Sequence, residues 1–123
     1  MDSVVHFEVP FDDAERATTF YREAFGWKLD SMPDFAYTMV TTTATDERGR
    51  PSEPGGINGG MLKRGQITSP VITINVEDID DALARVEKLG GQVAIGRQPV
   101  GEMGFSAYVR DTEGNLIGLW QNA

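Results

Sequence analysis

The sequence predicts an α+β fold made of two βαβββ modules. The main observation is an internal near-repeat: Val4–Val9 and Val71–Val76 are short β-branched runs, each followed by acidic residues and a helical stretch that ends at glycine. Strand-like segments follow both helical stretches. We therefore expect a single domain over residues 1–123, with the first module at 1–63 and the second at 69–123. The two small sheets are expected to enclose a cleft.

The first helix is predicted from Ala14 to Phe25. Asp13 before it can accept hydrogen bonds from the unpaired N–H groups of the first turn, and Gly26 after it is typical of a helix end. Apolar residues recur with the helical period at Ala14, Ala17, Phe20, Tyr21, Ala24 and Phe25. Strands are predicted at 28–30, 35–42 and 56–62. The polar, proline-containing segment 44–55 between the last two is predicted to be an exposed loop.

The second helix repeats the design of the first. Asp78 precedes it, and the apolar period runs from Ile79 to Leu89 before Gly90 and Gly91. Strands are then predicted at 92–95, 105–111 and 115–121. The two halves therefore share one order of elements.

Alternation along the strands predicts which residues share a face. In the first strand His6 and Glu8 lie opposite the apolar residues that suit packing under a helix. Thr73 and Asn75 share a face in the first strand of the second module. In the last strand Gly118 and Trp120 lie opposite Ile117 and Leu119. We expect His6, Glu8, Thr73, Asn75, Gly118 and Trp120 to line the cleft.

These faces supply the candidate site residues. His6 is the only imidazole, and a nearby Glu8 would raise its pKa, so both are catalytic candidates for proton transfer. The candidates for substrate binding are Tyr37, Gly60, Thr73, Asn75, Phe105, Gly118 and Trp120. Each also has a purely structural interpretation. Large side chains in a small domain are mostly core, buried polar groups can satisfy one another, and a glycine in a strand can mark a bulge.

Composition narrows the classes of function. The 11 basic and 19 acidic side chains give a formal charge of −8, which disfavours nucleic-acid and anionic-membrane partners. The absence of cysteine excludes thiol catalysis and cysteine-ligated metal centres. No apolar run approaches the ~20 residues of a membrane span, and the acidic N-terminus shows no signal peptide, so we expect a cytoplasmic protein. Strand edges that need covering favour a homodimer.

Several motifs together resemble the vicinal oxygen chelate superfamily, the glyoxalase/bleomycin-resistance/dioxygenase group. They are His6-Phe7-Glu8-Val9-Pro10, the helix start at 12–21, Phe25-Gly26-Trp27, the glycine-rich run at 54–60, the turn at 76–80 and the segment 111–121. The resemblance covers nearly the whole chain. It implies paired βαβββ modules around a ligand cleft, commonly in dimers.

The resemblance also implies where a metal would bind. In metal-dependent members four side chains hold one divalent ion, and the matching positions in this sequence are His6, Gly60, Thr73 and Gly118. Glycine has no side-chain donor and threonine is a poor ligand, so we expect no metal cofactor. The leading hypothesis is a protein that binds an apolar or aromatic metabolite or drug in a cleft with a degenerate metal site. The alternatives are a metal-dependent lyase, isomerase or dioxygenase that takes ligands from elsewhere, and a structural or interaction module.

Overall fold

The structure is a computed structural model that describes all 123 residues. Residues 6–70 form one compact unit, called the first unit, and residues 71–123 together with 1–5 form the second. In each unit a strand, a helix and three further strands follow one another along the chain, which confirms the predicted α+β class. The elements are β1 (Val4–Phe11), α1 (Ala14–Phe25), β2 (Lys28–Met32), β3 (Tyr37–Thr41), β4 (Gly59–Lys63), β5 (Val71–Asn75), α2 (Ile79–Lys88), β6 (Gln92–Val100), β7 (Gly104–Arg110) and β8 (Leu116–Asn122).

The sheet of the first unit has the strand order β2-β3-β4-β1. β1 and β4 run parallel, and the other neighbouring strands run antiparallel. Glu8, Gly60 and Met39 stand side by side on β1, β4 and β3. Alternation therefore puts the buried Val40 and Met61 on the opposite face of this sheet.

Helix α1 has the predicted bounds. The Asp13 side chain accepts a hydrogen bond from the backbone N–H of Arg16 at 2.9 Å, and Gly26 closes the helix at a φ of 72°, where a side chain would be strained. None of its side chains is buried, and Phe20 and Phe25 remain 57% and 62% exposed.

A series of contacts between aromatic rings joins α1 to the sheet. Tyr21 stacks on Trp27 with 4.8 Å between the ring centroids and a 5° angle between the planes. The Trp27 ring in turn lies 5.8 Å from that of Phe7 on β1. The face of the sheet that carries Phe7 is therefore the helix side of the first unit.

The second unit has the strand order β5-β8-β7-β6, with β5 parallel to β8. Asp78 caps α2 by accepting from the backbone N–H of Asp81 at 3.0 Å, as its position predicts. The backbone N–H of Ile79 donates to the Gln121 side chain at 2.8 Å and so ties the helix start to β8. The buried core consists of Val76, Ile79, Ala82, Ala107, Val109 and Leu119.

Several strand bounds differ from the predicted ones. β4 starts at Gly59 rather than at residue 56, and β6 continues to Val100 instead of ending at residue 95. Its pairing with β7 shifts register twice. These irregularities keep the long strand paired although its sequence does not alternate regularly. The turn Pro33–Phe35 is a 3₁₀ helix, so Phe35 lies outside β3. Neither helix is long and apolar enough to cross a membrane.

Candidate functional site

Four predicted site residues meet on one face of the first unit's sheet. His6 and Glu8 are two residues apart on β1, so their side chains point the same way. Glu8 is in register with Gly60 on β4, and Tyr37 is two residues before Met39, which also pairs with Gly60. This is the face opposite to the one that carries Phe7 and the helix.

The centre of this face is a hydrogen bond between His6 and Tyr37. The imidazole Nε2 and the phenol oxygen are 2.8 Å apart, and the two rings lie 17° from parallel. To reach His6 on β1, the phenol crosses over β4 at Gly60. A Cβ atom built on Gly60 would overlap the hydroxyl oxygen and Cζ of Tyr37. Gly60 is therefore the residue that makes room for the His6–Tyr37 contact.

Burial controls the protonation of His6. Its pKa is lowered from the ordinary value mainly because burial disfavours the charged imidazolium, and the negative charge of Glu8 offsets only part of this. Glu8 raises the pKa of His6 as expected, but the desolvation effect is larger, so the expected net rise is corrected to a net lowering. His6 is neutral near pH 7. Its Nε2 accepts from the Tyr37 hydroxyl when Nδ1 carries the proton and donates to it in the other tautomer.

Four more predicted residues meet on one face of the second unit's sheet. Thr73 is in register with Gly118, and Asn75 with Trp120, across the parallel pair β5 and β8. Gly118 is closely packed against its neighbour, because a Cβ atom there would lie 2.7 Å from Oγ1 of Thr73. Trp120 is half-buried and next to Asn75 on this face.

Sequence reasoning missed Asn122 on the same face. The Trp120 indole Nε1 donates to Oδ1 of Asn122 at 2.9 Å, and Nδ2 of Asn122 donates to Oδ1 of Asn75 at 3.5 Å. The signal was present in the alternation of β8, because residue 122 follows 118 and 120 on one face. The predicted strand ended at residue 121, which left Asn122 out.

Phe105 does not join the other binding candidates. It pairs with Gln121 and shares the side of β7 that carries Ala107, which is fully buried. There it packs against the core of the second unit, and the Arg97 guanidinium lies 5.2 Å from its ring centroid. The structure thus places Phe105 on the helix side of the sheet, opposite Trp120 and Asn75.

The residues present do not fit a divalent metal ion. No group of three or more histidine, cysteine, aspartate or glutamate side chains comes together in the chain. At the positions that the superfamily resemblance equates with ligands, Gly60 and Gly118 supply no donor, and the Nε2 atom of His6 is engaged by Tyr37. A closed metal site needs several nitrogen or oxygen donors around one point.

Comparisons with known proteins find similarity to glyoxalase-like and bleomycin-resistance-like proteins. The family model "Bleomycin resistance protein-like N-terminal" matches residues 3–43. A glyoxylase-like domain-containing protein of Didymella fabae is 31% identical over 121 residues, which cover 91% of this chain and 88% of that protein. A solved structure of a glyoxalase/bleomycin resistance protein/dioxygenase superfamily member from Vibrio splendidus 12B01 superposes with a TM-score of 0.65 at 14% identity, covering both chains fully.

A further relative is much longer than this chain. The candidate glyoxylase CFP32 of Mycobacterium tuberculosis (strain CDC 1551 / Oshkosh) is 30% identical over 115 residues, which cover 89% of this chain. The matched part is 41% of the mycobacterial protein, so the chain spans about two-fifths of that relative's length.

Proposed function

The chain belongs to the glyoxalase/bleomycin-resistance/dioxygenase superfamily, and we propose that it binds a small organic molecule with an apolar or aromatic group without the help of a metal ion. The observation that carries this proposal is the 2.8 Å hydrogen bond between His6 and Tyr37 above Gly60. This bond engages the Nε2 atom of His6 with a phenol, so that this atom is not left for a metal ion. The molecule would be a metabolite or a drug.

The first unit offers polar anchors beside apolar surface. Glu8 is a carboxylate only 7% exposed, and His6 is a half-buried neutral imidazole on the same face. The Met39 side chain, 38% exposed, and the Tyr37 ring add soft apolar surface next to them. An apolar surface with a few fixed polar groups is the usual make-up of a small-molecule site.

The second unit offers an aromatic platform. The Trp120 indole is held by its hydrogen bond to Asn122 and stands next to Asn75. A planar ring can stack on an indole, and the neighbouring amide can bind a polar substituent. Both features support a ligand with an aromatic part.

A metal titration separates the proposal from the metal-dependent alternative. The purified protein is loaded with Zn²⁺, Ni²⁺, Mn²⁺ or Fe²⁺, passed over a desalting column and analysed for bound metal by mass spectrometry. We expect well below one ion per chain, because the donor set is incomplete. One tightly held ion per chain, lost in the His6→Ala variant, would instead favour a metal-dependent lyase, isomerase or dioxygenase.

A fluorescence screen tests ligand binding itself. The chain has two tryptophans, so a Trp27→Phe variant leaves Trp120 as the single reporter. A set of small aromatic compounds is titrated against this variant, and we expect saturable quenching by some of them. Among the compounds that bind, we expect some to bind more weakly to His6→Ala and some, followed by calorimetry, to bind more weakly to Trp120→Ala. The proposal is wrong if no compound binds or if both substitutions leave every measured affinity unchanged.

We also propose that the protein is a cytoplasmic homodimer. The support is the strand-edge argument from the sequence, and the acidic, cysteine-free composition suits a reducing compartment. Light scattering after size-exclusion chromatography measures the mass of the particle. We expect twice the 13.5 kDa of one chain, and a single-chain mass would contradict the dimer.

A further inference from the structure

A chain of hydrogen bonds in the second unit has a defined direction. The Trp120 indole nitrogen can only donate, so the Asn122 atom 2.9 Å away must be its carbonyl oxygen. The Asn122 side-chain nitrogen therefore faces Asn75 and can only donate. Asn75 in turn must offer its own carbonyl oxygen, which lies 3.5 Å away. One indole thus sets the orientation of two amide groups.

Asn75, the last residue in this series of hydrogen bonds, has an unused side-chain donor. With Oδ1 of Asn75 turned towards Asn122, the Nδ2 amino group of Asn75 points the other way, and it donates to no group of the protein. The Asn75 backbone is held in place, because its N–H donates to the Ser3 carbonyl at 2.9 Å. Asn75 is half-buried and stands beside the Trp120 ring. An oriented N–H donor next to an aromatic surface is a recognition feature for an oxygen acceptor on a flat ligand.

We infer that the second unit recognises an aromatic ring carrying a carbonyl oxygen, with the ring on Trp120 and the oxygen on Nδ2 of Asn75, and that Asn122 is the positioning residue that sets this preference. The inference rests on the proposed small-molecule function and names the chemistry of its ligand. A neutral carbonyl suits the chain better than a carboxylate, because a formal charge of −8 repels anions.

Small residues lie next to Asn75 and Trp120 on β5 and β8. Gly118 precedes Trp120 on the same face, beside Tyr108 on β7; it carries no side chain, and its neighbour in register on β5 is the small Thr73. A larger residue at either position would stand next to the indole and the amide. The small residues are therefore consistent with a flat group lying along this part of the sheet.

The test uses two flat bicyclic probes of similar size. 1-Indanone carries a carbonyl acceptor, and indole carries only an N–H donor. Binding is followed by ¹H–¹⁵N correlation NMR, which also reports on the side-chain amide of Asn75. We expect the unmodified protein to bind 1-indanone about threefold to tenfold more tightly than indole, the ratio that one hydrogen bond supports, with the Asn75 amide signals shifting on binding.

The Asn122→Asp variant should reverse this preference. A carboxylate still accepts from the Trp120 indole but cannot donate to Asn75, so the Asn75 amide should turn its nitrogen towards residue 122 and present its oxygen to the ligand. Indole should then bind more tightly than 1-indanone. The control is Gln92→Glu at the exposed start of β6, which makes the same chemical change and should keep the original order.

Each result decides the inference. Reversal in Asn122→Asp but not in Gln92→Glu supports it, and an unchanged order in Asn122→Asp overturns it while leaving the binding of small molecules intact. If Asn122→Asp does not fold by NMR, Asn75→Asp takes its place, because it removes the donor and keeps the oxygen that faces Asn122. That variant should lose the preference for 1-indanone, and retention would overturn the inference. Failure of both probes to bind the unmodified protein overturns it as well, whereas the proposed function is decided by the wider fluorescence screen.

Discussion

Replacement of Gly60 by alanine should act on the protein through Tyr37. The added methyl group overlaps the phenol hydroxyl and Cζ, and it is the phenol, the free end of a flexible side chain, that must move. Its departure breaks the 2.8 Å bond to His6 and leaves a half-buried imidazole without this partner, at a cost of about 1–3 kcal/mol. Alanine is favoured over glycine in a strand by about 0.5–1 kcal/mol, so the net loss in the free energy of unfolding is about 0–2.5 kcal/mol.

A double-mutant cycle with Tyr37→Ala isolates this effect. Without the phenol the three atoms nearest to a Cβ at residue 60 are gone, so Gly60→Ala should be neutral or stabilising in that background, and the coupling should reach about 1–3 kcal/mol. Urea unfolding followed by circular dichroism measures all four proteins. The control is Gly59→Ala, whose Cβ would meet the Phe7 backbone carbonyl and should destabilise both backgrounds alike. Equal costs of Gly60→Ala with and without Tyr37, within about 0.5 kcal/mol, would refute the reasoning.

Three further predictions concern stability. Because burial lowers the pKa of His6, the unfolded chain binds its proton more readily, so stability should fall as the pH drops from about 7.5 through 6.5. The melting temperature should change less with pH over this range in His6→Asn than in the unmodified protein. An equal pH dependence in both proteins would contradict the assignment. Ile79→Ala empties a side-chain site that is 0% exposed and should cost about 2–5 kcal/mol in urea unfolding. Leu89→Ala, at a side chain 74% exposed, should stay within about 0.5 kcal/mol. Asp78→Ala should cost about 1 kcal/mol and speed amide exchange in the first turn of α2, whereas Asp78→Asn should retain most of the cap.

The helices were predictable because their ends depend on local chemistry. Asp13, Asp78 and Gly26 act on backbone groups within four residues, so a single sequence contains the information that places them. Strand ends depend on partners far along the chain. β6 continues to Val100 because β7 offers hydrogen bonds to it, with two shifts of register that no local pattern reveals.

The faces of the strands were predictable, whereas the contacts across them were not. Alternation correctly grouped Thr73 with Asn75 on one face of β5, and the same rule applied to β7 would have put Phe105 with Ala107 in the core. The bond between His6 and Tyr37 joins residues 31 positions apart and depends on how far a phenol reaches across a strand. The pKa of His6 likewise depends on burial, which the spacing of His6 and Glu8 does not contain.

Gly60 and Gly118, the two glycines that the superfamily resemblance equates with ligand positions, have different physical consequences in their own units. In the first unit the space above Gly60 is filled by the Tyr37 phenol, which turns it into a fixed hydrogen bond with His6. In the second unit the atoms nearest to a Cβ at Gly118 belong to the small Thr73 on β5, and the neighbour on β7 is Tyr108. The glycine thus gives the first unit room for a polar pair, whereas in the second unit it leaves the strand position before Trp120 on this face without a side chain. Because hydrogen bonds set orientation and flat apolar surface contributes burial, we expect a ligand on the first unit to be oriented by the His6–Tyr37 pair, and a ligand on the second unit to gain most of its apolar contact from Trp120.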